Sequence, residues 1–156
     1  MAGSGEPDLS TVDGSGLVLG VVASRWHAEL TGQLLERALA AAAACGVADV
    51  RTARVVGAVE LPVVAQALAR GCDAVVALGV VIRGETAHFE YVCRAVTDGL
   101  GRVALDERTP VGHGVLTVDT IEQAHARAGF AGSAEDKGWG TTVAALDAAL
   151  ALRSLA

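Results

Sequence analysis

The sequence predicts an α/β fold in which a parallel sheet is covered by helices on both faces. Two observations carry that class. Apolar, β-branched runs alternate with segments rich in helix formers, in the order βαβαβαβαα, and this alternation builds crossover units rather than hairpins. In the clearest run, "DAVVALGVVI" at residues 73–82, nearly every position is apolar, which suits a strand buried on both faces. Crossovers between parallel strands are right-handed. Sheets of this class bind ligands at the carboxyl ends of their strands.

The elements follow in order. "LVLGVVA" (17–23) reads as the first strand. "AELTGQLLERALAAAAACG" (28–46) reads as a helix, with Leu30, Leu34 and Leu35 at helical spacing and Gly46 as its stop. "VRTARVV" (50–56) is the second strand, and Pro62 opens the helix "PVVAQALARG", where proline suits the first turn. Residues 73–82 form the third strand and "FEYVCRAVTDGLG" (89–101) the third helix. "RVALDERTPVGHGVLTV" (102–118) has strand character at both ends, with a turn around Arg108–Pro110. Thr120 stands three residues before Gln123, a capping-box spacing that starts another helix. "SAEDKG" then introduces a long Ala/Leu helix.

With 156 residues, one domain is expected, at roughly 100–200 residues per domain. Residues 1–16 read as a flexible, acidic leader and 17–156 as the domain. Aromatic residues are only 3% against 52% hydrophobic, so the core is built from Ala, Val and Leu. A net charge of −6 argues against nucleic-acid binding, which needs a basic face, but leaves room for small anions held by a few cations. Cys45, Cys72 and Cys93 show no C-x-x-C spacing and read as free, buried thiols of a reducing cytosol. No segment has the apolar length of a membrane span, and the start of the chain lacks the basic and apolar regions of a signal peptide. The location expected is cytoplasmic.

Rare residue types collect beside the strand ends. Ser24, Arg25, Trp26 and His27 follow the first strand. "GAVELP", with Glu60 between Val59 and Leu61, follows the second. "GVVIRGETAHFEY" (79–91) carries the third strand into Arg83, Gly84, Glu85, Thr86 and His88. Gly112, His113 and Gly114 precede the fourth. Gly84–Thr86 lies where a strand meets a helix N-terminus, where unpaired N–H groups and the helix dipole attract anions. Thr86 reads as an N-cap or as a phosphate donor. His88 beside it is suited to proton transfer. Trp26 is equally a stacking face for a planar heterocycle or a core residue, and Glu60 a solvated group or an acceptor for ligand hydroxyls. Arg127 and Lys137 flank the last loop. The four histidines lack metal-ligand spacing, so no metal is expected. Neither a P-loop, a dinucleotide fingerprint nor a G-x-S-x-G elbow is present.

From about Leu17 onward the chain resembles the lumazine synthases, on the strength of "GAVELP", "GVVIRGETAHFEYV", "GVLTVDTIEQAHARAG" and "DKG". The resemblance implies a flavodoxin-like, three-layer αβα sandwich with a four-stranded parallel sheet. It implies an enzyme, a transferase of riboflavin biosynthesis. Its reaction condenses 5-amino-6-(D-ribitylamino)uracil with 3,4-dihydroxy-2-butanone 4-phosphate to 6,7-dimethyl-8-ribityllumazine, through a Schiff base and loss of phosphate, with no metal or organic cofactor. By position, Trp26 resembles the aromatic residue that stacks on the pyrimidine. Ala58, Val59 and Glu60 resemble the segment that holds the ribityl chain and ring edge. Val80, Val81 and Ile82 supply backbone contacts to the pyrimidine. Gly84, Glu85 and Thr86 fall at the phosphate, with Arg127 and Lys137, and His88 at the proton-transfer position. The 113 and 127 positions come from the neighbouring subunit, so sites lie between chains.

Two positions depart from the family pattern. Glu85 stands where the residue is uncharged, and His113 where Phe or Asn is familiar. A carboxylate beside a phosphate is repelled unless it points outward, is offset by Arg83 or Arg127, or makes contact only through its backbone N–H. The resemblance further implies a homo-oligomer and riboflavin synthase as a partner. The longer, acidic connection "GFAGSAEDKG" (129–138), with Glu135 and Asp136, and Pro7 in the leader argue for a pentamer or a face-to-face decamer rather than a shell. The competing expectations are a non-catalytic module of the same fold that binds riboflavin or another flavin, and a purely structural shell protein.

Overall fold

A computed structural model describes residues 4–156. Strand β1 (Val18–Ser24) leads into helix α1 (Ala28–Ala44) and strand β2 (Asp49–Val55). A 3₁₀ turn at Ala58–Glu60 opens α2 (Leu61–Ala69), followed by β3 (Ala74–Ile82), α3 (His88–Glu107), β4 (Val111–Val118), α4 (Ile121–His125) and α5 (Lys137–Ser154). The four strands form one sheet in the order β2-β1-β3-β4, and every neighbouring pair is parallel. The expected three-layer αβα architecture is observed.

The strand period of two divides the core between the two faces. Leu19, Val21 and Ala23 of β1, with Val76, Leu78 and Val80 of β3, bury their side chains under α1 and α5. Val22, Val75 and Ala77 point the other way, into a second cluster with α2 and α3. The central strands β1 and β3 are buried on both faces, as their unbroken apolar runs require. The edge strand β2 differs. Its residues alternate between half-buried and exposed, with Arg51 and Arg54 on the outside, and charge of this kind discourages pairing with a stray strand.

Local signals explain most boundaries. Gly46 (φ +77°) takes the left-handed conformation just past α1, a position glycine fills without steric cost. Proline sits in the first turn of α2. The Thr120–Gln123 capping box forms in both directions, at 3.2 and 3.3 Å, yet α4 is only five residues long. Before α5, Asp136 caps the Trp139 N–H at 3.2 Å and holds Arg37 Nε at 2.7 Å. Ahead of β1, Leu9 and Val12 pack against the α1–α5 core, and Trp139 Nε1 donates to the Leu9 carbonyl at 3.0 Å.

Two local expectations need correction. Residues 102–105 are not strand but the last turns of α3, because Val103 continues the buried stripe of Val96 and Leu100 at helical spacing. The helix ends only at Arg108, in the left-handed conformation at φ 52°, shortly before Pro110. Gly112, His113 and Gly114 do not precede β4 but lie inside it. Their reason is packing: a Cβ on Gly112 would stand 2.7 Å from Thr141 Cγ2, so the strand admits α5 only where it lacks side chains.

Candidate active site

In the order β2-β1-β3-β4 the chain runs outward in opposite directions from β1 and β3, which makes the gap between their carboxyl ends the topological switch point. A cavity of about 340 Å³ opens there, within the range of small-molecule sites. It is lined by Trp26 and His27 beyond β1, by 56–60 beyond β2, by Val80–Ile82 at the end of β3, and by His88 and Val92 of α3. Eight of the predicted residues therefore meet: Trp26, Ala58, Val59, Glu60, Val80, Val81, Ile82 and His88.

Each is placed by its own local physics. Trp26 is 62% exposed, so it is not a core residue of the chain, and it lies beside Gly57 on the cavity wall. Glu60 folds back on its turn, where Oε2 accepts the Gly57 N–H at 2.9 Å. Val80 is buried while Val81 and Ile82 emerge half-buried as β3 runs out of the sheet. His88 begins α3, and Thr86 Oγ1 accepts its N–H at 3.3 Å. The N-cap of α3 is nevertheless Ala87, without a side-chain cap. Thr86 is therefore not the N-cap residue but stands one residue before it, and its own O–H is left to donate.

Gly84, Glu85 and Thr86 form an exposed turn between β3 and α3, and nothing lies within 4 Å of a Cβ built on Gly84. Arg83 does not offset Glu85. Its Nε donates to Asp119 Oδ1 at 2.7 Å, its Nη1 reaches Glu90 Oε1 at 3.5 Å, and it stacks 4.4 Å over the Phe89 ring. The Asp119 carboxylate raises the Arg83 guanidinium above its already high range.

His113, Arg127 and Lys137 are elsewhere. They line a separate hollow of about 240 Å³ along β4. His113 lies opposite Ala77 in the middle of β3 and pairs with Thr97 Oγ1 at 2.9 Å. Arg127 Nη1 donates to the Gln123 carbonyl at 2.9 Å. Glu135 joins the two cations, at 3.6 Å from Arg127 Nε and 2.6 Å from Lys137 Nζ. A single protomer thus carries two half-sites, the apolar switch-point cavity and a cationic hollow on the β4 edge.

The chain matches the family model described as 6,7-dimethyl-8-ribityllumazine synthase over residues 16–153. It is 74% identical to a protein of that name from Salinispora arenicola, over the whole of this chain and 94% of the relative. Proteins of the same name from Thermobifida fusca and Saccharopolyspora erythraea are each 63% identical, over 99% of this chain and 91% and 94% of theirs.

The chain belongs to the 6,7-dimethyl-8-ribityllumazine synthase family. It is accordingly a transferase of riboflavin biosynthesis. Among the described residues, no helix is long and apolar enough to cross a membrane.

Four residues that line the cavity of this lumazine synthase were not predicted as site residues: His27 and Val56 outside the quoted motifs, and Gly57 and Val92 within "GAVELP" and "GVVIRGETAHFEYV". His27 offered one signal, its place directly after a strand and before a helix, where it takes a left-handed conformation at φ 53° as the cap of α1. Glu135 was legible only as a loop charge, and its link to Arg127 and Lys137 needs the fold. The thiols are corrected in part: Cys45 is buried, but Cys72 and Cys93 are half-buried. Burial raises the Cys72 and Cys93 thiols above their ordinary range, which keeps them protonated and weakly reactive.

Proposed function

We propose that this lumazine synthase condenses 5-amino-6-(D-ribitylamino)uracil with 3,4-dihydroxy-2-butanone 4-phosphate, forming 6,7-dimethyl-8-ribityllumazine and releasing inorganic phosphate. The observation that carries the reading is the switch-point cavity. It sets an exposed indole, a carboxylate, the emerging backbone of β3 and an imidazole around one space. Trp26 stacks on the pyrimidine. Ala58, Val59 and Glu60 take the ribityl hydroxyls and ring edge, and the backbone of Val80–Ile82 reads the ring's polar atoms. The 84–86 turn holds the phosphate through backbone N–H groups and the Thr86 hydroxyl, so that Glu85 keeps its carboxylate in solvent. His88 moves protons as the amine and ketone form a Schiff base with loss of water, phosphate is eliminated, and the ribitylamino nitrogen closes the second ring on a carbonyl with loss of a second water. None of these steps calls for a metal or a redox cofactor.

His113, Arg127 and Lys137 enter from the neighbouring copy. What supports this is the separation of the two hollows: a cationic hollow on an edge strand serves a phosphate only when a second chain brings its own 84–86 turn to it. The assembly is a closed ring with heterologous contacts. Mixing the protein with both substrates and following lumazine fluorescence tests the function. Product formation above the uncatalysed rate supports it, whereas tight flavin binding without product would identify a binding module instead. We place the enzyme in the cytoplasm, with riboflavin synthase as the partner that takes up its product.

The ring is expected to be a pentamer or a face-to-face decamer. The connection between α4 and α5, which sets the angle of the last helix, is pinned in place. Gln33 Nε2 donates to the Gly129 carbonyl at 2.8 Å, and Arg37 grips Asp136. Static light scattering should give five or ten times the 15.7 kDa of the chain. A megadalton particle would refute this assembly.

A further inference from the structure

Besides the β3–β4 ladder, a hydrogen-bonded path through side chains links the two half-sites of one chain. Arg83 begins it. Its backbone N–H donates to the Val118 carbonyl at 2.9 Å, and its Nε donates to Asp119 Oδ1 at 2.7 Å. The Asp119 N–H donates in turn to Gln123 Oε1 at 2.7 Å, and the Gln123 carbonyl accepts Arg127 Nη1 at 2.9 Å. On its other side, Arg83 stacks on Phe89 and reaches Glu90. It therefore grips residues on the far side of the 84–87 turn that it starts.

We propose that Arg83 is a positioning residue that holds the 84–86 turn of its own chain's site and, through Asp119 and Gln123, the Arg127 that the same chain lends to its neighbour. The inference rests on the phosphate reading above. Arg83 itself is occupied by two carboxylates and an aromatic ring, and so acts through the groups it orients. Each Arg83 then supports two adjacent sites at once, and both supported groups contact the same substrate, the phosphate ester. Exposed ion pairs contribute little to stability, and Arg83, Asp119 and Glu90 are all exposed. Their removal should disturb geometry rather than folding, and small misplacements of binding groups are costly.

Arg83→Ala is expected to raise the KM for the butanone phosphate about tenfold, within the roughly 2- to 30-fold range of such couplings, with the pyrimidine KM within about twofold. Asp119→Ala should do the same, Asp119→Asn and Arg83→Lys should recover most of the loss, and the double alanine variant should be no worse than either single. Should Arg83→Ala fail to fold, the Asp119 pair carries the test. An equal rise in both KM values, no rise, or an additive double variant overturns the clamp. Arg127→Ala runs alongside. A selective effect there with none from Arg83→Ala or Asp119→Ala defeats the clamp alone; no effect from Arg127→Ala defeats the phosphate reading, and the clamp with it.

Discussion

Arg127→Ala is expected to raise the KM for the butanone phosphate by roughly 10- to 100-fold while the KM for the ribitylaminouracil stays within about twofold, because hydrogen bonds to charged groups contribute about 1.5–3 kcal/mol and about 1.4 kcal/mol is a factor of ten. The surrounding charges push the effect toward the upper end. Arg127 and Lys137 share Glu135, and Glu6 lies 3.9 Å from Lys137 Nζ, so two cations face two carboxylates with no net charge. Without Arg127, Lys137 is left with Glu135 and Glu6, so the hollow becomes net negative and repels an anion as well as losing a donor. Two further signs should accompany the loss. Inorganic phosphate should become a poorer inhibitor, and the response of KM to added salt should flatten, since screening then has less attraction to weaken. Steady-state kinetics with each substrate varied in turn decides it. If both apparent affinities fall together, Arg127 is holding the β4–α5 region rather than the ligand.

How far the sequence anticipated this site depended on whether a residue's role is local. Gly46, Pro62 and the Thr120–Gln123 cap act within a turn of chain, and each appears where its spacing predicted. The buried runs of β1 and β3 were legible for a similar reason, since burial on both faces leaves a continuous apolar signature. Residues 102–105 misled because a β-branched valine and a leucine suit a strand as well as a buried helix face. Only the register with Val96 and Leu100 decides between them. The separation of the two cavities was not legible from the residues themselves; only the family resemblance implied that the 113 and 127 positions serve a neighbouring chain's site. Trp26, Glu60 and His88 are far apart in sequence but converge through parallel topology. His113 stands on the edge strand β4 and Arg127 just past α4, and both lie on another surface. Glu135 is the clearest such case, because its role exists only once a loop folds its carboxylate between two cations.

His88→Ala is expected to lower kcat by roughly 10- to 1000-fold, with both KM values changed by no more than about threefold and the fold unaltered. A positioned general acid or base contributes about 10²–10⁴; the lower part is taken because an aromatic amine and an activated ketone already react slowly without help. The position favours His88 for three reasons. It lines the switch-point cavity, it begins α3, and its backbone is fixed by the Thr86 hydroxyl immediately beside the turn proposed to hold the leaving phosphate. Its exposure means that the side chain has no packing role whose loss would mimic a catalytic defect. His27 is the one other imidazole on this cavity, so the comparison that matters is between them. His27→Asn removes the ring but tolerates the left-handed backbone at φ 53°, since asparagine visits that region more readily than most residues. Turnover in His27→Asn should stay within about threefold of the parent enzyme. Single-turnover measurements, which separate chemistry from product release, should place the His88→Ala loss in the chemical step. If His88→Ala keeps full turnover while His27→Asn collapses, the proton is carried from the β1 side of the cavity instead, and the assignment of His88 is wrong.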